Sequence, residues 1–231
     1  AAEKVFKVHK VLGTGIGVSV DGTPSMFPLK YDIDIQRIMA DSIESALDGF
    51  IRAFDLEDGP LCRAALIACG GKNYFVFDIH HIIFDGSSVN VIVSQIARAY
   101  DGIDPKEEKL DIFDISKFEK NLKTSEEYKA AREYFKNVLG EADTDSHPVS
   151  DVIRTGVEKS GGTVRLPLND ALGIFDGENF ARKNGVTENT IFLGAFAYTL
   201  AKFNGASDSL FCTVTNGRHD KRLDETVGMF V

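Results

Sequence analysis

Two adjacent histidines followed by an aspartate and a glycine form the segment with the clearest potential for chemistry: His80, His81, Asp85 and Gly86. An imidazole changes its protonation state near neutral pH, so a histidine here could accept a substrate proton or orient the group that carries it. A metal site is disfavoured, because neighbouring strand residues point to opposite faces and no third ligand follows at helical spacing. These residue types therefore favour acid–base or orienting chemistry.

The segment lies where a predicted strand, 73–81, ends and a predicted helix, 87–100, begins. The two histidine side chains diverge on such a strand, so one can serve a site while the other is structural. A structural alternative fits the same residues: both histidines belong to the strand end, and Asp85 caps the helix. The other histidines, His9, His147 and His219, lie in or beside turns and are expected to face solvent.

Further elements are predicted around this segment. Asp21-Gly22 signals a two-residue turn in a hairpin over 17–27. A strand over 61–68 places Arg63 on an otherwise apolar face, where a cation requires a partner. The apolar spacing also predicts helices over 35–54 and 124–139.

The composition changes over residues 140–162, which are rich in Asp, Ser and Gly and poor in large apolar residues. Such a segment is typical of a linker, and we place a domain boundary near residue 158, between parts 1–157 and 158–231. The second part is predicted to contain a strand, two helices and a strand: 163–168, 171–183, 187–203 and 209–215. Strands and helices in both parts predict an α/β or α+β fold with layers of sheet and helix.

Composition excludes several classes of function. The net charge of −9 lacks the excess of cations by which proteins bind nucleic acid or an anionic membrane. No run of about 18 apolar residues predicts a transmembrane helix. The three cysteines, Cys62, Cys69 and Cys212, are odd in number and lack a C-x-x-C pair, which disfavours a disulfide framework or a zinc site. A reducing, cytoplasmic location is therefore expected.

The two ends of the sequence are unusual for a domain. It begins with Ala1-Ala2 and stops at the apolar run 227–231. Domain ends are usually polar, so we expect the sequence to be a piece of a longer polypeptide.

The string His-His-Ile-Ile-Phe-Asp-Gly at residues 80–86 resembles the HHxxxDG signature of condensation domains of nonribosomal peptide synthetases. Those domains belong to the chloramphenicol-acetyltransferase-like superfamily. Other segments resemble further motifs of the family: 8–14 (RHExLRT, poorly), 54–64 (FDLxxGPLxRA), 114–118 (YxDFAxW, degenerate), 216–218 (xGR) and 227–231 ((I/V)GxFVNT). The motif order and spacing agree across the chain, whereas a single short motif would be weak support.

The resemblance implies a fold of two similar α/β lobes that form a V, with the active site in a tunnel between them. Residues 1–157 would form the N-terminal lobe without its first motif, S-x-A-Q-x-R, and residues 158–231 the beginning of a truncated C-terminal lobe.

The implied reaction is amide formation by attack of an acceptor amine on a donor acyl or aminoacyl thioester. Both substrates would be tethered to donor and acceptor peptidyl carrier proteins through 4′-phosphopantetheine arms. A neighbouring adenylation domain is a further implied partner. No cofactor, metal, nucleic acid or membrane is expected to bind the chain directly.

The resemblance also implies roles for individual residues. His81 would be the catalytic or orienting residue, and the Gly86 backbone would lie near the reacting thioester. Asp85 would pair with Arg63, and His80 would have a supporting structural role. In addition, Asn216 and Arg218 would either line the tunnel or anchor a loop.

Two other functions within this fold remain open. An epimerization domain shares the HHxxxDG motif, but the sequence Asn-Gly-Arg at 216–218 and the run 227–230 favour a condensation domain. A non-catalytic domain that recruits carriers or partner enzymes is the second alternative, which the intact His81 and Asp85 disfavour. A cyclization domain is disfavoured because it carries aspartates in place of the two histidines.

Overall fold

The computed structural model describes residues 1–30, 33–140, 142, 148, 162–167 and 176–231. The chain divides into two compact units, one formed by Ala1–Lys129 with Val214–Val231 and the other by Ala130–Thr213. The last eighteen residues thus belong to the same unit as residues 80–86, the histidine motif. The predicted boundary near residue 158 lies outside the described residues and stays a prediction.

The first unit combines helices with two small sheets. Its elements in chain order are α1 (Ala2–Val8), β1 (Thr14–Val18), β2 (Pro24–Pro28), β3 (Ile35–Met39), α2 (Ile43–Phe50), β4 (Cys62–Cys69), β5 (Lys72–Ile79), α3 (Gly86–Tyr100), α4 (Ile112–Leu122) and the start of α5 (Glu126–Leu139). Short 3-10 turns lie at Lys10–Gly13, His81–Ile83 and Lys221–Leu223.

A three-stranded sheet in the order β3-β4-β5 leads the chain into the histidine motif. Strands β3 and β4 are parallel, whereas β4 and β5 form an antiparallel hairpin. Gly70 and Gly71 make the two-residue turn between them, with φ values of 55° and 73° that favour glycine. This turn sets the register, which pairs Arg63 with Asp78.

The core of the first unit lies directly beneath the motif. Buried apolar side chains of α1, β4 and α3, among them Phe6, Ala64 and Ile92, pack with Ile83 and Phe84 of the motif itself. Interiors of this kind are close-packed, so the motif backbone between β5 and α3 is held on its inner side by apolar contacts.

The helix predicted over residues 35–54 is wrong for its first part. Ile35–Met39 forms strand β3 rather than the beginning of a helix, and helix α2 starts only after the Ser42 N-cap. Parallel pairing of β3 with β4 decides the outcome, because tertiary hydrogen bonding overrides an ambiguous apolar spacing. The predicted hairpin at residues 17–27 is confirmed, but Val18 pairs with Pro24, which leaves a longer loop than two residues.

Helix α4 was not predicted, although its N-terminus carries a capping box. Asp111 accepts hydrogen bonds from the Phe113 and Asp114 amides, and the Asp114 side chain accepts the Asp111 amide in return. The predicted helix over 124–139 is confirmed as α5, and the predicted helix over 87–100 is confirmed as α3.

The described part of the second unit contains α6 (Gly177–Asn184) and α7 (Glu188–Asn204). The Thr187 side chain caps α7, as the sequence predicts. The strands predicted over 163–168 and 209–215 are wrong for their described residues, which join no ladder there. Residues 168 and 171–175, which belong to predicted elements, lie outside the described residues.

No helix among the described residues has both the length and the apolar character needed to cross a membrane. The same residues contain no cluster of three or more His, Cys, Asp or Glu side chains arranged to hold a metal ion.

Candidate active site

His81 is the second residue after β5, which leads the chain into the motif. It begins a short 3-10 turn, and its Nδ1 atom lies 2.8 Å from the backbone oxygen of Phe84. A carbonyl oxygen can only accept, so Nδ1 carries the proton of this hydrogen bond. In the neutral ring the lone pair then resides on Nε2, and the His81 side chain is exposed. The geometry leaves Nε2 available to a substrate.

His80, the first residue after β5, makes contacts within the protein that differ from those of His81. Its Nδ1 accepts the backbone amide of Ile82 at 3.1 Å, and its ring stands edge-on to Phe54 at a centroid distance of 5.8 Å. The His80 amide also donates to the Leu61 carbonyl at 2.8 Å, which ends the pairing of the two strands. These contacts place His80 in the framework of the site.

Asp85 is the buried centre of a hydrogen-bond network. Its side chain caps α3 by accepting the Ser88 amide at 2.8 Å, as the structural interpretation of the sequence predicts. Arg218 binds the same carboxylate with both terminal nitrogens, at 2.8 and 3.2 Å, and the Phe230 amide donates to it at 3.2 Å. The side chains of Asp85 and Arg218 are only 1% and 4% exposed.

Burial alone would raise the pKa of the Asp85 carboxyl. Hydrogen bonds from the Arg218 guanidinium and from the Ser88 amide and hydroxyl outweigh burial and hold the pKa below its ordinary value. Asp85 is therefore a carboxylate that fixes the motif, and it is not a proton donor.

Arg218 lies in the C-terminal segment, residues 214–231, and holds this segment in place. Besides Asp85, its Nη2 atom contacts the Thr226 carbonyl at 3.1 Å, and its guanidinium stacks over the Phe230 ring at 4.4 Å. Of the two roles that the sequence left open, this burial fits loop anchoring. Asn216 is exposed, and its Oδ1 accepts the Arg218 amide at 3.2 Å, so it shapes the turn before the anchor.

The expected pairing of Asp85 with Arg63 is wrong. Arg63 instead forms an ion pair with Asp78, with Nε 3.3 Å from Oδ2, donates to the Phe50 carbonyl, and stacks 3.7 Å over the Phe54 ring. The reason is register: residues opposite each other in an antiparallel pair share a face, and Arg63 faces Asp78. The buried cation has the partner it requires, but that partner lies on the neighbouring strand.

Gly86 begins α3 immediately after Asp85. A Cβ placed there would meet nothing within 4 Å, so the space in front of this backbone is open. The first amides of a helix lack partners within the helix and carry partial positive charge. Open space at such a position suits the close approach of a polarised carbonyl group.

The sequence of residues 24–231 matches the profile of the family described as Condensation domain. The chain belongs to the condensation-domain family. The resemblance carried by the histidine motif and by the motif order is thereby confirmed.

Curated relatives of this condensation domain are much longer synthetases. The chain is 29% identical over 243 residues to bacitracin synthase 3 of Bacillus licheniformis, covering 100% of this chain and 4% of that protein. It is 30% identical over 192 residues to surfactin synthase subunit 1 of Bacillus subtilis (strain 168), covering 82% and 5%. The chain thus spans only a small share of these relatives.

Solved structures show the same fold. The condensation domain from the monacolin K polyketide synthase MokA superposes with a TM-score of 0.77 at 18% identity, covering 99% of this chain and 56% of that one. An epimerization domain from tyrocidine synthetase B gives a TM-score of 0.72 at 18% identity, covering 99% and 57%. These likenesses confirm the predicted α/β, chloramphenicol-acetyltransferase-like lobe, but they do not separate the two reactions.

The last residues of the given chain make hydrogen bonds to the site that the sequence does not predict. The Gly228 carbonyl accepts the Asp85 amide at 3.1 Å, and its amide donates to the Ser88 hydroxyl at 3.1 Å. The resemblance of residues 227–231 to a family motif singled out this segment, but its residue types did not predict that it contacts α3. The contact spans about 140 residues of sequence, beyond the reach of local patterns.

Gly217 precedes the anchor Arg218 in a conformation that other residues rarely adopt. Its φ is 63°, and a Cβ added there would lie 2.0 Å from the Phe230 carbonyl oxygen. We expect Gly217→Ala to destabilise the domain by about 2 kcal/mol or more, because left-handed strain and steric conflict add. Urea unfolding followed by circular dichroism measures this difference.

Gly49→Ala is the matched control for this substitution. Gly49 lies within α2 with open space at its Cβ, so alanine should be neutral or stabilise the helix by up to about 1 kcal/mol. Equal effects of the two substitutions would contradict the conformational requirement at Gly217.

Proposed function

We propose that this condensation domain forms an amide bond between two substrates tethered to carrier proteins. The observation that carries the proposal is the geometry of His81: its Nδ1 is bound to the Phe84 carbonyl, while Nε2 lies at an exposed position without a hydrogen-bond partner among the described residues. An imidazole so oriented can accept a proton from an attacking amine or hold that amine in line. Gly86, with open space before its backbone, would receive the thioester carbonyl.

The reaction balances without a cofactor. The acceptor amine nitrogen attacks the donor thioester carbonyl carbon, the new C–N bond forms, and the C–S bond breaks. The amine loses one proton, which His81 can accept, and the donor arm leaves as a thiol after it receives a proton. Holding the two reactants in register can lower the barrier by about 7–11 kcal/mol.

A covalent acyl-enzyme on a cysteine near the motif is disfavoured. Burial, with the nearby Asp78 carboxylate, raises the pKa of the Cys62 thiol to about 12, so Cys62 does not form a thiolate near neutral pH. Direct transfer between the two tethered substrates is therefore the simpler course.

The partners we propose follow from this chemistry. Donor and acceptor peptidyl carrier proteins would present their substrates on 4′-phosphopantetheine arms, and an adenylation domain would supply the activated acceptor. The similarity to bacitracin and surfactin synthases supports this assignment. The free cysteines Cys62, Cys69 and Cys212 favour a reducing, cytoplasmic location.

The decisive experiment examines the product. The complete condensation domain is mixed with its carriers, each loaded with one substrate, and the carrier-bound species are followed by mass spectrometry and chiral analysis. We expect a dipeptidyl thioester on the acceptor carrier. Inversion of the substrate Cα without an amide would select an epimerization domain, and binding of carriers without any product would select a recruiting domain.

A further inference from the structure

The prediction that His9 faces solvent is wrong: its side chain is fully buried between Glu108 and Gln95. Its Nδ1 lies 2.7 Å from Glu108 Oε1, and its Nε2 lies 2.8 Å from Gln95 Oε1. The side chains of His9 and Glu108 are 0% and 2% exposed. The ring therefore links Gln95 to Glu108, and its Nδ1–H donates to the Glu108 carboxylate, which can only accept.

Glu108 also binds the C-terminal segment. The same Oε1 atom accepts the backbone amide of Val227 at 2.8 Å. A second link joins the same two stretches of chain, because the Thr226 hydroxyl donates to the Leu110 carbonyl at 2.8 Å. The loop that contains residues 108 and 110 therefore fixes two successive residues of the C-terminal segment.

Val227 directly precedes the glycine that contacts the motif. Gly228 binds the Asp85 amide through its carbonyl and the Ser88 hydroxyl through its amide. A continuous path thus runs from His9 through Glu108 and Val227 to the N-terminus of α3, where Asp85 and Gly86 lie.

We propose that His9 is a positioning residue for the amide-forming reaction, acting through Glu108 to hold Val227 and Gly228 against the start of α3. This inference rests on the proposed function. The other carboxylate oxygen of Glu108 is buried without a hydrogen-bond partner in the described structure. The Nδ1–H of His9 is therefore the side-chain donor that holds this carboxylate in place, since a buried carboxylate without hydrogen-bond partners is strongly disfavoured.

Helix α1, which ends immediately before His9, offers a surface contact for comparison. Lys4 of α1 forms an exposed ion pair with Asp104, four residues before Glu108. Exposed pairs of this kind contribute little, because solvent screens them. The pair ties α1 to the same loop without touching the C-terminal segment, so Lys4→Met is a matched control for substitutions of His9.

The test measures amide hydrogen exchange at Val227 and Gly228 in the complete condensation domain. His9→Phe keeps a planar aromatic ring, slightly larger than imidazole, and removes both ring nitrogens. We expect exchange at these two amides to rise about tenfold or more, while the amides of β4 and β5 keep their protection. Condensation should slow about tenfold in turnover with the KM for the loaded donor carrier nearly unchanged, because the site loses alignment rather than binding contacts.

Substitutions of Glu108 separate a positioning role from simple core packing. Glu108→Gln keeps an oxygen acceptor for Val227 and should retain most of the protection, whereas Glu108→Leu should lose it. Should His9→Phe fail to fold, this pair of variants decides the question. Lys4→Met should leave exchange and turnover unchanged.

Two results would overturn the proposal: wild-type exchange at Val227 in His9→Phe, or a uniform rise across the whole domain, which indicates global destabilisation alone. A wild-type domain that forms no amide would instead overturn the proposed function. The exchange measurement would then still decide whether His9 holds the C-terminal segment.

Discussion

His81→Asn should abolish most amide formation while leaving the fold intact. The asparagine amide can still donate to the Phe84 carbonyl from nearly the position of Nδ1, but it has no counterpart of Nε2. Loss of a positioned proton acceptor lowers rates by about 10²–10⁴, and we expect a decrease in this range. Single-turnover assays with preloaded carriers, quenched and analysed by mass spectrometry, measure the chemical step directly.

His80→Asn is the matched control for this prediction. The asparagine oxygen can replace Nδ1 as the acceptor of the Ile82 amide, so the framework should be preserved. We expect this variant to keep its rate within about tenfold of the wild type, because we propose a structural role for His80, whose contacts are to Ile82 and Phe54. Equal losses in the two variants would contradict the division of roles, and a His81→Asn domain with the wild-type rate would exclude His81 from the reaction.

The sequence predicts the immediate surroundings of His81 well. Strand 73–81 and helix 87–100 appear as β5 and α3, and Asp85 caps the helix. These predictions succeed because turn residues, caps and apolar periodicity act over a few residues. The helix prediction for Ile35–Met39 is wrong for the opposite reason. The pairing of this segment with β4, more than twenty residues away, decides its conformation.

The two ion pairs of this region show the same difference: one can be predicted from a nearby turn, and the other depends on residues far apart in the sequence. The Arg63–Asp78 contact follows from a two-residue turn at Gly70-Gly71, since counting outward from that turn places these residues opposite each other. The Asp85–Arg218 contact joins residues 133 positions apart. The residue types alone could not choose between two arginines for one buried aspartate, and only the packing of the C-terminal segment against α3 decides it.

The Asp85–Arg218 pair should be the largest single contributor to stability among the charged contacts of the site. Asp85→Asn keeps an acceptor for the Ser88 amide but leaves the Arg218 cation buried without its partner. Removing one member of a buried pair costs about 3–5 kcal/mol, and we expect a loss of this size in the free energy of unfolding. Urea or guanidinium unfolding of the complete domain measures it.

The pH dependence of this loss has a defined sign. The pKa of Asp85 is lowered in the folded state, so the pair stabilises the wild type fully above the ordinary aspartate pKa of 3.8. This contribution is lost as the pH falls below that value and through the lowered folded-state pKa. The difference in stability between wild type and Asp85→Asn should therefore be constant from neutral pH to about pH 5 and shrink at lower pH.

An exposed pair and a double substitution provide the controls. Arg222→Gln removes an ion pair with Asp220 whose side chains are 60% and 41% exposed, and it should leave the free energy of unfolding nearly unchanged, because solvent screens the pair. Asp85→Asn combined with Arg218→Gln should cost less than the sum of the single substitutions, because the second change removes the unpaired buried cation. Additive losses, or an Asp85→Asn domain as stable as the wild type at neutral pH, would show that the C-terminal segment is held on α3 by its apolar and backbone contacts instead.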